Sequence, residues 1–114
     1  MLNHEFISIS RDEIPDAIPI PYKIVREYPC VVVSDRIILE NLPRFLKVKT
    51  YWEAYDKEIC SGLNYYGPTV IPYESISDFI EVLNGLKHDK ELINLKKLCR
   101  ISLSERKEIV HFGI

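Results

Sequence analysis

Gly62 to Leu86 reads GLNYYGPTVIPYESISDFIEVLNGL, and the rest of the chain is organised around this stretch. Gly67-Pro68 punctuates it, because glycine tolerates positive φ and proline fixes its own φ. Thr69, Val70 and Ile71 are β-branched and favour extended backbone. Pro72 cannot donate to a ladder, which predicts a short strand or an edge strand. Ser75 with Asp78 three residues on fits a capping box. Ile76, Phe79, Ile80, Leu83 and Leu86 then recur at helical spacing, giving one buried stripe. The stretch therefore predicts a strand, a turn and an amphipathic helix.

Working back toward the N-terminus, Phe6 to Ser10 reads as a first strand. Arg11 to Pro21 is a loop, with Pro15, Pro19 and Pro21 opposing a helix. Tyr22 to Tyr28 is compatible with a strand. Cys30 to Val33 is a stronger one, a continuous apolar run of the kind found at buried positions. Ile37, Ile38 and Leu39 suit either a strand or a helix capped at Ser34 or Asp35. From Arg44 on, Phe45, Val48, Trp52, Tyr55 and Ile59 share one helical face, whereas Leu46, Val48, Thr50, Trp52 and Ala54 alternate as a strand would. The long run without Gly or Pro, closed by Gly62, favours helix. Forward of the central stretch, Asp89 is a fair N-cap for a second helix, with Leu92, Leu95, Leu98, Cys99 and Ser102 or Leu103 facing inward. Glu108 to Ile114 is a terminal strand built into the sheet. The expected fold is α+β: residues 1–114 as a single domain, a small mixed or antiparallel sheet packed against two or three helices.

Composition sets the class. At 114 residues, 46% apolar and 28% charged, the chain is that of a soluble globular domain. No apolar run approaches the roughly 20 residues that span a bilayer, and the N-terminal sequence shows no secretory signal. Cys30, Cys60 and Cys99 are odd in number and widely spaced, which fits small core residues in a reducing cytoplasm. Residues 1–86 hold 8 Lys/Arg against 13 Asp/Glu, and residues 87–114 hold 7 against 4, so an acidic front is closed by a basic helix. An acidic surface steers a basic partner, although an ordinary solvated surface explains it as well.

Catalytic patterns are sparse. No G-x-S-x-G elbow, P-loop or dinucleotide fingerprint is present, and no metal or cofactor is expected. Asp12, Glu13 and Asp16 could hold a cation but read better as a solvated proline-rich loop. His4 and His111 fall in the first and last strands, which could be sheet neighbours. Two histidines and a lysine can cleave RNA by acid–base chemistry, and the alternative is two ordinary strand-end histidines. The basic helix from Lys90 to Leu103 lacks interleaved aromatics, so it reads as a solvated amphipathic helix and no nucleic-acid partner is expected. More informative are Tyr51, Trp52, Tyr55, Tyr65, Tyr66 and Tyr73, set among Glu53, Asp56, Glu58 and Glu74. Aromatic anchors beside carboxylates make good protein-binding surfaces. Trp52 and one of Tyr65 and Tyr66 are expected in the core, leaving other rings for a partner.

At NYYGPTVIP (Asn64 to Pro72), the S-x-S-D-F-I-E-V-L helix that follows, and the closing HFGI, the chain resembles small bacterial immunity proteins. These are encoded beside polymorphic toxins, including those of contact-dependent growth inhibition systems. The resemblance covers the second half of the chain, and its motif is structural. It implies a cytoplasmic, non-enzymatic inhibitor, monomeric or weakly dimeric, that binds the C-terminal toxin domain of a cognate effector, often a nuclease. Tyr55, Asp56, Glu58, Tyr65 and Glu74 are the expected partner contacts. The alternatives are a small histidine-dependent nuclease using His4 and His111, and an adaptor subunit of a larger assembly.

Overall fold

The computed structural model describes residues 2–55 and 58–114. Among the described residues six strands form one sheet: β1 (Asn3–Ile9), β2 (Cys30–Ser34), β3 (Lys49–Trp52), β4 (Ile59–Ser61), β5 (Thr69–Ile71) and β6 (Glu108–Phe112). Their spatial order is β2-β1-β6-β5-β3-β4, and every pairing is antiparallel. Three α-helices, α1 (Asp35–Asn41), α2 (Tyr73–Asn84) and α3 (Lys90–Glu105), join it. The α+β class expected from the sequence is the observed one. Among the described residues, no helix is long and apolar enough to cross a membrane.

The period-2 geometry of a strand sends alternate side chains to opposite faces, and both faces of this sheet are covered. On one, Phe6, Ile71 and Ile109 meet Ile76, Phe79 and Leu83 of α2 and Leu92, Leu95, Leu98 and Cys99 of α3. Phe79 lies between Phe6 and Phe45, at centroid distances of 6.2 and 5.4 Å. On the other, Ile7, Ile9, Val70, Val110 and Phe112 are covered by Ile20, Ile24 and Val25. Those three come from residues 10–29, the connection from β1 to β2, which crosses the sheet as a strap. Each such side chain contributes on the order of 2 kcal/mol by leaving water.

Several expectations need correction. The helix expected from Arg44 does not form over residues 44–55: a 3-10 turn over Leu42–Lys47, with Pro43 in its first turn, leads into β3. The alternating pattern prevails over the helical one because Val48 and Thr50 are buried while Tyr51 pairs with both Ile59 and Val70. Gly62 ends the β3–β4 hairpin at φ 74°, its amide donating to the Val48 carbonyl at 2.8 Å. Tyr22–Glu27 is a 3-10 turn of the strap. β2 is an edge strand, with Cys30 exposed and Val32 43% exposed, so its apolar run does not mark a buried position. Of the cysteines, Cys99 is in the core, where burial pushes its thiol up to about 12, but Cys60 is only half-buried. β5 is short yet interior, since Pro72 falls just beyond its last residue.

The cap of α2 also differs. The helix begins at Tyr73 with Pro72 at the N-cap, and Ser75 lies buried in the first turn without capping. The Tyr73 amide instead donates to the carboxylate of Glu108, a buried residue of β6. A carboxylate there meets both an orphan amide and the positive helix end. Asp89 caps α3 as expected, accepting from the Glu91 amide at 2.8 Å.

Candidate protein-binding surface

The strap covers β1, β6 and β5 and reaches the connection after β3, where the Ile20 amide donates to the Glu53 carbonyl at 2.8 Å, while Ile59 of β4 stays open to solvent. Tyr51 and Ile59 are direct cross-strand neighbours: Tyr51 is half-buried against the core under the strap, and Ile59 is 70% exposed. Beside them Tyr55 packs on Tyr51 at 5.2 Å between centroids, and the Arg11 guanidinium lies 4.8 Å over the Tyr55 ring. Arg11 then donates to Glu74 at 3.1 Å and to Glu108 at 2.9 Å. A groove of about 230 Å³ is lined by Lys49, Tyr51, Ile59, Pro72 and Glu74. The result is an apolar strip with an acidic border.

Of the five expected contacts, Tyr55 and Glu74 are brought together through Arg11, and Glu58 is exposed on the same hairpin beside Ile59. Asp56 lies outside the described residues. Tyr65 does not join them: its ring sits against His4 at 5.4 Å. Trp52, expected in the core, is 36% exposed, held by Nε1 donating to the Gly62 carbonyl at 3.0 Å. Tyr66 is 72% exposed and Tyr65 half-buried, so neither is a core ring. Ile59 and Arg11 were not singled out by the sequence. Only the hairpin register, which sets Ile59 opposite Tyr51, and the strap's path give them their places.

Arg11 is the link between strap, sheet and helix. Glu108 is 1% exposed, and removing its cation leaves a buried carboxylate with only the Tyr73 amide. Breaking a buried pair costs about 3–5 kcal/mol, but Arg11 itself is half exposed, which reduces the figure. Arg11→Ala should therefore lower unfolding stability by about 1–2 kcal/mol in urea titration. Glu74→Ala, at a pair open to solvent, should cost under about 0.5 kcal/mol.

The histidines are neighbours, as expected, and they are shut away from solvent. His4 and His111 are each 0% exposed, with Nδ1 of His4 2.8 Å from Nε2 of His111. His4 Nε2 lies 2.9 Å from the Asp35 carboxylate, and His111 Nδ1 lies 3.2 Å from the Thr69 hydroxyl. One donor follows from chemistry. An ionised Asp35 only accepts, so Nε2 of His4 carries hydrogen and donates to it. His111 Nδ1 meets the Thr69 hydroxyl, whose oxygen accepts from the Asn64 amide at 2.9 Å. Every ring nitrogen of the two histidines thus has a hydrogen-bond partner. Burial, with His4 as a second cause, holds His111 well below the ordinary histidine value. The hydrogen bond from His4, aided by Tyr65, lowers Asp35.

Among the described residues no His/Cys/Asp/Glu group is arranged to hold a metal ion, and Asp12, Glu13 and Asp16 lie exposed in the strap. Comparison with protein-family models, curated proteins and solved structures finds no match for this chain.

Proposed function

We propose that the chain is a non-enzymatic inhibitor of the immunity type. It would act in the cytoplasm, binding the C-terminal toxin domain of a cognate effector through the β3–β4 hairpin and the start of α2. The observation that carries this reading is exposed Ile59 beside half-buried Tyr51, flanked by Glu58 and Glu74. An apolar centre with aromatic anchors and a charged rim is the anatomy of a protein interface. The acidic rim suits the basic surface that a nuclease turns toward its substrate. A nuclease built on His4 and His111 is less well supported, because an acid–base pair must reach the proton it moves and both rings are sealed in the core.

Co-expression with the toxin domain encoded beside it tests the reading. The expected result is growth rescue and a one-to-one complex on purification. The double variant Glu58→Lys/Ile59→Asp should weaken binding by about 100-fold or more, because it inverts the rim charge and buries a carboxylate at the centre. Absence of a complex, or undiminished affinity in that variant, would overturn respectively the function and the site.

A further inference from the structure

The second open edge of the sheet carries an independent surface. Pro29 O accepts from Ser8 N, Leu2 O accepts from Asp35 N, and the β1–β2 register is continuous between them. In an antiparallel pair, bonding direction alternates residue by residue. The odd-numbered residues of β2 therefore bond to β1, and Cys30, Val32 and Ser34 turn their main-chain groups outward. The Ser34 amide confirms this parity by donating to Glu91 of α3 at 3.1 Å. Glu91 closes that end, leaving the N–H and C=O of Cys30 and Val32 for a fourfold hydrogen-bonding set.

Natural sheets guard such edges with charge, proline or a bulge. The β2 sequence, CVVVS, contains none of these. Along it runs a groove of about 370 Å³, walled by Val31 and Val32 on one side and by Asn94, Lys97, Leu98 and Ile101 of α3 on the other. Ile101 is 46% exposed, a large apolar residue beside a cation. Within α3 the carboxylates Glu91 and Glu105 are engaged, by Ser34 N and by Lys107. Lys97 pairs with no carboxylate among the described residues.

We propose that the β2 edge and the α3 groove bind an extended, acidic segment of a partner protein by strand addition. The main chain of β2 supplies the hydrogen bonds, the groove between Val31 and Ile101 takes an apolar side chain, and Lys97 meets a carboxylate. A second copy of this chain is the poorer occupant, since it would bring its own Lys97 to the same groove. The surface lies at the opposite edge of the sheet from β4 and does not rest on the inhibitor reading.

The test is titration of the full chain with a blocked hexapeptide, Thr-Val-Glu-Val-Thr-Val, followed by amide NMR. The peptide should slow exchange at the Cys30 and Val32 amides and bind at least about tenfold tighter than its lysine counterpart, with Lys in place of Glu. Val32→Pro removes an outward N–H while sparing the β1 ladder, so it should abolish binding with little change in thermal midpoint. If that variant fails to fold, Lys97→Glu decides: it should reverse the peptide preference. Equal binding of both peptides, or protection at other amides, would overturn the proposal. So would a concentration-dependent dimer that Val32→Pro disrupts, which would assign the edge to a second copy.

Discussion

His111→Ala is expected to lower unfolding free energy by about 3 kcal/mol or more. The ring is wholly buried and stacks on His4 at 5.1 Å with a 10° interplanar angle. Deleting it opens a cavity, a change that costs about 2–5 kcal/mol for large core side chains. It also strands His4 Nδ1 and the Thr69 hydroxyl, and each buried group without a partner adds about 1–3 kcal/mol. These terms overlap, because relaxation around the cavity also re-pairs some of the groups. Urea denaturation of the purified variant gives the value directly. A loss under 1 kcal/mol would show that the chain from Asn64 to Asp35 does not hold β1, β5 and β6 to α1.

The same pair sets a pH dependence whose sign is fixed. His111 is neutral in the fold, its pKa held well below the ordinary value, while in the unfolded chain it protonates near pH 6.5. Below about 6.5 the unfolded state therefore binds more protons, and stability falls as pH falls, by up to about 1.4 kcal/mol per pH unit from this group. Asp35 acts in a lower window: its folded pKa is depressed, so its contribution is present above the unfolded value and lost as pH drops through the folded one. In His111→Ala the decline below pH 6.5 should be shallower than in the parent chain. An unchanged slope would place the acid sensitivity elsewhere.

Gly67→Ala is the second large effect. Gly67 sits at φ 59°, a region that costs an L side chain about 1–2 kcal/mol. A Cβ there would also overlap the Gly113 nitrogen and approach the Phe112 carbonyl carbon to 3.1 Å. The obstruction is backbone, which cannot rotate away as a flexible side chain can. The end of β6 must then part from the 64–67 turn, breaking the bond from Ile114 N to Tyr65 O at 3.0 Å. The expected loss is about 3 kcal/mol in urea titration, with Ile114 and Tyr65 amides exchanging faster. Gly85→Ala is the matched control. Its φ is −84° and its nearest contact would be 3.4 Å, so stability should move by under about 0.5 kcal/mol.

Legibility in the sequence followed the range of the interactions. The inward stripe of α2, the Asp89 cap and the inward face of α3 depend on spacing within one element, and the sequence shows them. β6 was readable for the same reason, as was the prospect of His4 beside His111, given two strands at the chain ends. From Arg44 to Tyr55 the local pattern is ambiguous, because aromatic and β-branched residues fit both periods. Pairing with β5, a tertiary fact, decided for the strand. Glu108 as the cap of α2 was invisible, lying 35 residues from the amide it serves. The candidate surface was half legible. Composition drew attention to Tyr55, Glu58 and Glu74, but exposure of Ile59 depends on where the strap ends, which no local pattern encodes. Tyr65 was drawn away by the histidine pair.

Hydrogen exchange on the complex with the toxin domain is the most direct measurement of the proposed inhibitory surface. The account predicts new protection across Lys49–Trp52, Ile59–Ser61 and the first turn of α2, with the histidine-bearing strands unchanged. A complex that protects other surfaces and leaves that hairpin exchanging freely would contradict it.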